Sequence, residues 1–298
     1  MKTMPLVSVA IITYNQKDFL KEAIQSVLQQ DYKPIEIVVG DDCSTDGTQQ
    51  MLQEYKKKYP EKFTIKLSSK NVGITANSNT VHFACNGKYI AWLGGDDLML
   101  PKKISKQVRF MESNPDYNIS YHNLDIFDSY TGNHLRFFNT LLNSHTGNVT
   151  LLIKYGTFNG ACSTMVRRTA SPAYGFDTRI PVASDWLYWV EHLINGGKIG
   201  FINEVLGKYR RHSKNVTSLN SQQSAQGNKD AINTCNILLQ KYPHFKRIIS
   251  YRRSVLYRGF RKYDYTKNIL KSLKYNPFNI ISIIFLGIHF FSFKRIKL

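Results

Sequence analysis

Lys88-Tyr89-Ile90-Ala91-Trp92-Leu93-Gly94-Gly95-Asp96-Asp97 is the stretch around which the rest of the chain is organised. Its apolar run, Tyr89 to Leu93, is bounded by turn residues and reads as a short strand buried on both faces. Two glycines follow, which let the backbone turn sharply or approach a ligand closely. Two adjacent carboxylates then fall at the strand's carboxyl end, the edge where open α/β sheets bind their ligands. Paired carboxylates at such an edge suit a hard divalent cation, which can in turn hold a diphosphate. The same residues would also make an ordinary surface turn, so their meaning depends on what surrounds them.

Ahead of this stretch, apolar runs alternate with helical patterns. Residues 6–14 form a β-branched run that predicts a first buried strand. Phe19, Leu20, Ala23, Ile24, Val27 and Leu28 then recur at helical spacing. Residues 35–39 predict a second strand, running into Gly40-Asp41-Asp42-Cys43-Ser44-Thr45-Asp46-Gly47-Thr48. Ser44 or Thr45 is the candidate cap of a polar helix ending near Tyr59. A third strand is predicted over 63–67 and a helix over 74–85. This alternation implies right-handed crossovers and a largely parallel sheet. Asp41, Asp42, Asp96 and Asp97 all then fall at its ligand edge.

Beyond it, residues 101–112 predict a helix with Pro in its first turn, and 117–127 and 159–166 predict strands. Asp185 opens a helix rich in Trp186, Leu187, Trp189, Val190, Leu193 and Ile194 that stops at Gly196-Gly197. Two short strands are predicted at 198–202 and 205–209, followed by Arg210-Arg211-His212. From about Gln222 the pattern is helical and basic, and residues 278–293 are almost wholly apolar, ending in Lys294-Arg295-Ile296-Lys297-Leu298.

A chain of 298 residues can bury one large core or two modest ones, and 42% apolar with 13% aromatic content is that of a folded protein. Its 40 Lys and Arg against 21 Asp and Glu, a formal charge of +19, favour an anionic partner. Nucleic acid, a phosphorylated substrate and an acidic membrane surface all qualify. Cys43, Cys85, Cys162 and Cys235 are far apart, which argues against a zinc knuckle or a disulfide framework. The N-terminus runs straight into a strand without a secretory signal, so a reducing, cytoplasmic setting is expected.

Together these segments resemble the family 2 glycosyltransferases, inverting enzymes of the GT-A fold that use nucleotide-diphosphate sugars. Val7-Ser8-Val9-Ala10-Ile11-Ile12-Thr13-Tyr14-Asn15 is similar to that family's first strand. Residues 36–48 (EIVVGDDCSTDGT) resemble its second-strand motif, with Gly40 and Cys43 as departures. Asn71-x-Gly73 and Asn79 match its nucleotide loop, with Ser78 where Arg is usual. Residues 93–97 resemble the metal-binding D-x-D-D segment, with Gly94 in place of the first Asp. The resemblance is strong over 6–100 and reaches to about 212.

The resemblance implies an α/β domain of GT-A type, a Rossmann-like, largely parallel sheet flanked by helices, over residues 1–220. Its donor half would be 1–100 and its acceptor half 101–220, followed by a basic helical C-terminal region over 221–298. Tyr14 would stack on the nucleotide base, and Asp41 would accept a hydrogen bond from it. A carboxylate is acceptor-only, which suits the ring N–H of uracil. Tyr14 would also fit, less well, as a strand-end core aromatic, and Asp42 as a residue holding the turn's own backbone. Asn71 belongs to the implied donor loop. Asp96 aligns with the last Asp of D-x-D, the ligand for Mn2+ or Mg2+ on the diphosphate, where the ion neutralises charge on the departing group. Asp97 would help the metal, face the acceptor or be structural.

The base of an in-line displacement must lie opposite the leaving group. Ala183-Ser184-Asp185-Trp186 resembles the family's Glu-Asp segment, which assigns the base to Asp185 and puts Trp186 on the acceptor side; Ser184 replaces the usual acid. Asp185 would also fit as an N-terminal cap, where the helix dipole would keep it ionised. Tyr209-Arg210-Arg211-His212 matches a Tyr-Arg-x-His-like segment. There Arg210 and Arg211 would close over the diphosphate, and His212 would be a further metal ligand or a surface residue.

The implied activity is metal-dependent hexosyl or N-acetylhexosaminyl transfer, with inversion, from a UDP-sugar to a glycan or lipid-linked saccharide. Bacterial surface polysaccharide or lipopolysaccharide biosynthesis is the implied setting, although fold does not specify acceptor. The expected location is cytoplasmic, peripheral on the inner face of the cell membrane, with the anionic membrane surface as a partner. The final apolar stretch is short of the ~20 residues that span a bilayer, and it fits either a membrane interface or a helix packed on the domain. A sugar nucleotidyltransferase would need a Gly-rich basic loop where Asn15-Gln16-Lys17-Asp18 stands. A nucleic-acid binder would have its phosphates repelled by the aligned carboxylates, and no recognition motif is present. Gly94 and Ser184 suggest a third reading, an inactive sugar-nucleotide-binding homologue.

Overall fold

The computed structural model describes residues 4–140, 142–213, 215–216, 222–260 and 264–295. Four strands, β1 (Val7–Thr13), β2 (Ile35–Asp41), β3 (Phe63–Leu67) and β4 (Tyr89–Gly94), run parallel in the order β3-β2-β1-β4. Helices α1 (Lys17–Leu28), α2 (Thr48–Lys58) and α3 (Ile74–Ala84) are the crossovers.

Successive residues of these strands point to opposite faces, and both faces are buried. Val7, Val9, Ile11, Tyr89, Ala91 and Leu93 pack with Leu20 and Ile24 of α1 and Leu52 of α2. Ala10, Val38, Ile90 and Trp92 pack on the other side with Val81 of α3. Two-sided burial is why the strands read as unbroken apolar runs. Each fully buried aliphatic side chain there contributes about 1.5–3 kcal/mol.

Past β4 the sheet becomes mixed. β8 (Met165–Arg167) pairs antiparallel with β4 and with β6 (Tyr117–Asp128), and β6 runs parallel to β9 (Lys198–Arg211). β5 (Leu98–Met99) pairs with β9, and β7 (His134–Phe137) with the far end of β6. Three expectations are corrected here. Of the segment 159–166 only Met165 and Val166 are in a strand, β8, and a 3-10 turn (Ala161–Ser163) precedes them. The strands expected at 198–202 and 205–209 are one strand, whose pairing shifts register around Asn123 as at a β-bulge. Pro101 stands ahead of α4 (Lys103–Ser113) rather than in its first turn, and Lys102 takes a left-handed turn at φ 67°.

Helices α5 (Val149–Tyr155) and α6 (Asp185–Leu193) pack on the same side as α3. The C-terminal region forms α7 (Gln222–Lys241), α8 (Lys246–Gly259), α9 (Tyr265–Tyr275) and α10 (Ile280–Arg295). Cys235, Leu238 and Ile249 of α7 and α8 share one core with Trp186 and Trp189 of α6, so this region is built into the domain. The expected boundary near residue 220 and residues 296–298 lie outside the described residues.

Candidate active site

The loops after β1 and β2 are stitched together by Asn15. It sits at φ 52°, in the left-handed region that Asn tolerates. Its amide donates to Ser44 Oγ at 2.8 Å, and its Oδ1 accepts from the Thr45 amide at 2.8 Å. Ser44 and Thr45 therefore serve Asn15 instead of capping α2, which starts after Gly47. Beside them Tyr14 is 48% exposed, so it is a rim residue and not a core aromatic.

Asp41 and Asp42 have separate partners. Asp41 is fully buried; its Oδ2 accepts from the Ser44 amide at 2.9 Å and from Gln49 Nε2 at 2.8 Å, while its Oδ1 has no protein donor. Asp42 holds the loop before α3, accepting from the Val72 amide at 2.7 Å and the Gly73 amide at 2.9 Å. Tyr14, Asp42, Asn71, Gly73, Asn77, Gly95 and Asp96 line a cavity of about 510 Å³.

Asp96 is the hub at the end of β4. Its Oδ2 lies 3.1 Å from His212 Nε2 and accepts from Asn215 Nδ2 at 3.1 Å. The imidazole rests against the Phe19 ring, centroids 4.9 Å apart. A carboxylate and an imidazole at one point suit Mn2+ or Mg2+ on a diphosphate, since such ions use few protein ligands and fill their shell with phosphate oxygens and water. Among the described residues no third His, Cys, Asp or Glu joins them. A Cβ on Gly94 would meet Asp96 Oδ1 at 2.8 Å, so glycine leaves that carboxylate its place.

Asp97 and Arg210 are paired with each other. Asp97 is buried and its Oδ1 accepts from the Arg210 amide at 3.0 Å, which is a structural role. Burial, then the adjacent Asp96 charge, push its carboxyl well above the usual range. The Arg210 side chain is 5% exposed. It donates to the Asp96 carbonyl at 2.8 Å and to Glu22 Oε2 at 2.5 Å, with its guanidinium 4.6 Å from the Phe19 ring centre and 4.9 Å from that of Phe127. It braces the Asp96 turn, where the expectation had it closing over a diphosphate. Arg211 is half-buried with its guanidinium 5.3 Å from the Tyr209 ring.

A second cavity, about 420 Å³, is lined by Trp92, Leu93, Phe176, Ser184, Asp185, Trp189 and Asn228 among others. It shares Ile12, Ile74, Gly94, Val182 and Val216 with the first, so Gly94 stands in both walls of one cleft. Asp185 is the first residue of α6, with Ser184 at the cap position; its Oδ1 accepts from the Trp186 amide at 2.8 Å. Burial pushes its carboxyl above the ordinary value. Trp186, expected beside the acceptor, is buried with its indole N–H on the Leu152 carbonyl and lines neither cavity; Trp189, one turn on, does. The segment before Asp185 is tied from two sides. Thr75 of α3 donates to the Ile180 carbonyl at 2.6 Å and lies 2.8 Å from Ser184 Oγ. Asp230 of α7 accepts from the Val182 and Ala183 amides.

Sequence reasoning missed Asn215, Asp230 and Trp189. Asn215 carried a faint signal, a polar residue three past His212. Asp230 carried another, since it and Asp264 are the two acids between 222 and 298.

The chain is similar to known glycosyltransferases. A UDP-Glc:alpha-D-GlcNAc-diphosphoundecaprenol beta-1,3-glucosyltransferase of Escherichia coli, WfaP, is 31% identical over 238 residues, 79% of this chain and 86% of that protein. Other curated relatives share 30% identity over 211 residues, and there the match spans 60% of their length. In fold, the crystal structure of Staphylococcus aureus TarS (residues 1–349 of that protein) superposes with a TM-score of 0.67 at 15% identity, covering 91% of this chain and 81% of that one. A mannosyltransferase from Pyrobaculum calidifontis, solved with GDP-Man and Mn2+, superposes with a TM-score of 0.64 at 16% identity, covering 92% and 74%. The mixed sheet with flanking helices is thus a GT-A-type fold, and because residues 8–171 match Glycosyl transferase family 2 the chain belongs to that family.

Proposed function

We propose that the chain moves a hexosyl or N-acetylhexosaminyl group, with inversion, from a UDP-sugar to a hydroxyl of a glycan or lipid-linked saccharide. The setting is surface polysaccharide or lipopolysaccharide synthesis at the cytoplasmic face of an anionic membrane. One observation carries this reading. A single cleft has Tyr14, Asp42, Asn71 and Asp96 at one end and Asp185 at the other, with Gly94 in both walls. The similarity to WfaP, whose name specifies a UDP-sugar donor and a lipid-linked acceptor, supports the substrate class.

In the proposed reaction Tyr14 stacks on the base, and Asp41, buried and outside the cavity lining, supports the Ser44 loop beside it. Asp96 and His212 would hold Mn2+ or Mg2+, which supplies charge neutralisation to the leaving diphosphate. Arg210 and Asn215 keep the Asp96 turn in place. The acceptor hydroxyl oxygen bonds to the anomeric carbon as the carbon–oxygen bond to the diphosphate breaks, and its proton passes to Asp185. A carboxyl made more basic by burial is suited to that proton. Trp92, Phe176 and Trp189 wall the Asp185 cavity with apolar surface that excludes water.

The test is heat stability of the purified protein with UDP or GDP, each with and without Mn2+. A ligand of the folded state at a hundred times its dissociation constant adds about 2.7 kcal/mol of stability. A manganese-dependent rise with UDP, lost in Asp96→Ala and kept in Asp185→Ala, is expected. No shift with any nucleoside diphosphate would overturn the donor assignment.

A further inference from the structure

The last helix, α10, is built inside out. A polar cluster joins it to α8 and α9: Ser254 Oγ and Ser272 Oγ lie 3.0 Å apart, Ser272 Oγ and Ser282 Oγ 2.8 Å apart, and Asn279 Nδ2 donates to Ser254 Oγ at 2.8 Å. All three serines are fully buried, as is Ile269 of α9. Along α10 and just ahead of it the apolar residues face outward instead: Phe278 is 87% exposed, Ile280 69%, Ile284 53% and Ile288 55%. Ile280, Ile284 and Ile288 are four apart and so form one stripe. On α9, Lys267, Leu270 and Lys274 share an exposed face. A water-facing helix carries the opposite pattern, and a contiguous exposed apolar patch marks an interaction surface.

We propose that the outward face of α9 and α10 docks on an anionic lipid bilayer, its isoleucines and Phe278 entering the interface and its lysines meeting the headgroups. This rests on the reading that the acceptor is lipid-linked. Charge decides the occupant. Between residues 231 and 298 there are fourteen Lys and Arg and one acid, Asp264. Of these, Lys267 and Lys274 are exposed on α9; a second copy of the chain would bring these like charges together, whereas an anionic surface attracts each of them. The helix lies on the bilayer and does not cross it. Its 16 residues extend about 24 Å at 1.5 Å each, short of the roughly 30 Å hydrocarbon core, and among the described residues no helix is long and apolar enough to span.

The experiment is co-sedimentation of the full chain with phosphatidylcholine vesicles, with and without one quarter phosphatidylglycerol, at low and high salt. Binding should require phosphatidylglycerol and weaken with salt. The exposed pairs Ile284→Ser/Ile288→Ser and Lys267→Glu/Lys274→Glu should each weaken it about tenfold or more, with melting temperature and any UDP-dependent shift unchanged. Equal sedimentation with and without vesicles, or binding indifferent to both pairs, overturns the proposal. So does a concentration-dependent dimer that the isoleucine pair dissolves, which would assign the face to a second copy. Vesicle binding without any nucleotide shift would leave the docking face standing and sink the transferase reading instead.

Discussion

Asp230 and Ala183 tie the C-terminal region to the candidate base: the buried Asp230 carboxylate accepts from the Val182 and Ala183 amides, 2.9 Å each, just ahead of Asp185. Gln226 Nε2 holds its other oxygen at 2.8 Å. Hydrogen bonds to a charged group are worth about 1.5–3 kcal/mol each, and two amides would be left without their acceptor. Asp230→Ala should lower kcat at least tenfold with a smaller rise in donor KM, because of the two freed amides only that of Val182 belongs to a residue that also lines the Asp96 cavity. Asp230→Asn keeps one acceptor oxygen and should fall between. Equal loss in kcat and donor affinity would mean general unfolding of the cleft.

Asp185 sets function against stability. Burial raises its folded-state pKa above the unfolded value, so the unfolded chain is the better acid. Stability is therefore full below the unfolded pKa and declines as pH rises through the folded one. Asp185→Asn should lose about 100- to 10,000-fold in activity yet melt higher than the parent at pH 7. The parent's activity should rise with pH through the raised pKa, since the base must be ionised. A variant that is inactive and less stable would point to a structural role.

Gly94 controls the Asp96 carboxylate by leaving room. Its own backbone is unstrained for any residue, but a Cβ would sit 2.8 Å from Asp96 Oδ1 and 3.2 Å from Asp97 Oδ2. Asp96 cannot simply swing away while His212 and Asn215 hold its other oxygen. Gly94→Ala should therefore raise the Mn2+ concentration for half-maximal nucleotide-dependent stabilisation about tenfold, or roughly 1.4 kcal/mol, with the metal-free melting temperature little changed. An unchanged manganese titration would remove Asp96 from the metal site.

Much of this was legible because two-sided burial leaves a mark in one dimension. The apolar runs at 6–14 and 89–93 could hardly be anything but inner strands, and the carboxylates after them then had to share an edge. The departures were legible but not their reasons. Cys43 adopts φ 65°, in the left-handed region that favours glycine. At Gly40 a Cβ would fall 2.4 Å from Asn77 Oδ1, so the missing side chain admits α3, whose Asn77 donates to the Gly40 carbonyl. The continuity of β9 and the antiparallel seat of β8 depend on neighbours far along the chain, which no local pattern encodes. The same holds for Arg210. A basic residue near a diphosphate motif reads as a ligand until the structure shows Glu22 and two aromatic rings enclosing it.

Three buried imidazoles should set the acid limit of the fold. His82 lies 3.0 Å from the Tyr188 hydroxyl; His192 lies 2.8 Å from the Tyr188 carbonyl and 3.0 Å from Ser171 Oγ. Burial, reinforced by nearby Arg168, lowers the His82 pKa to about 4, and burial lowers that of His192 to about 3. Burial and then the Lys103 charge hold His122 well below its usual value. The unfolded chain takes up these protons first, so stability is full above the unfolded value near 6.5 and is lost as pH falls toward the folded ones. At pH 5 His82 and His192 each cost about 2 kcal/mol. The melting temperature should therefore drop steeply between pH 7 and 5, above the range where ordinary carboxylates titrate. His192→Gln, which keeps a donor and an acceptor near Ser171 and Tyr188, should flatten that slope by about one third; a slope unchanged by this variant would place the acid sensitivity elsewhere.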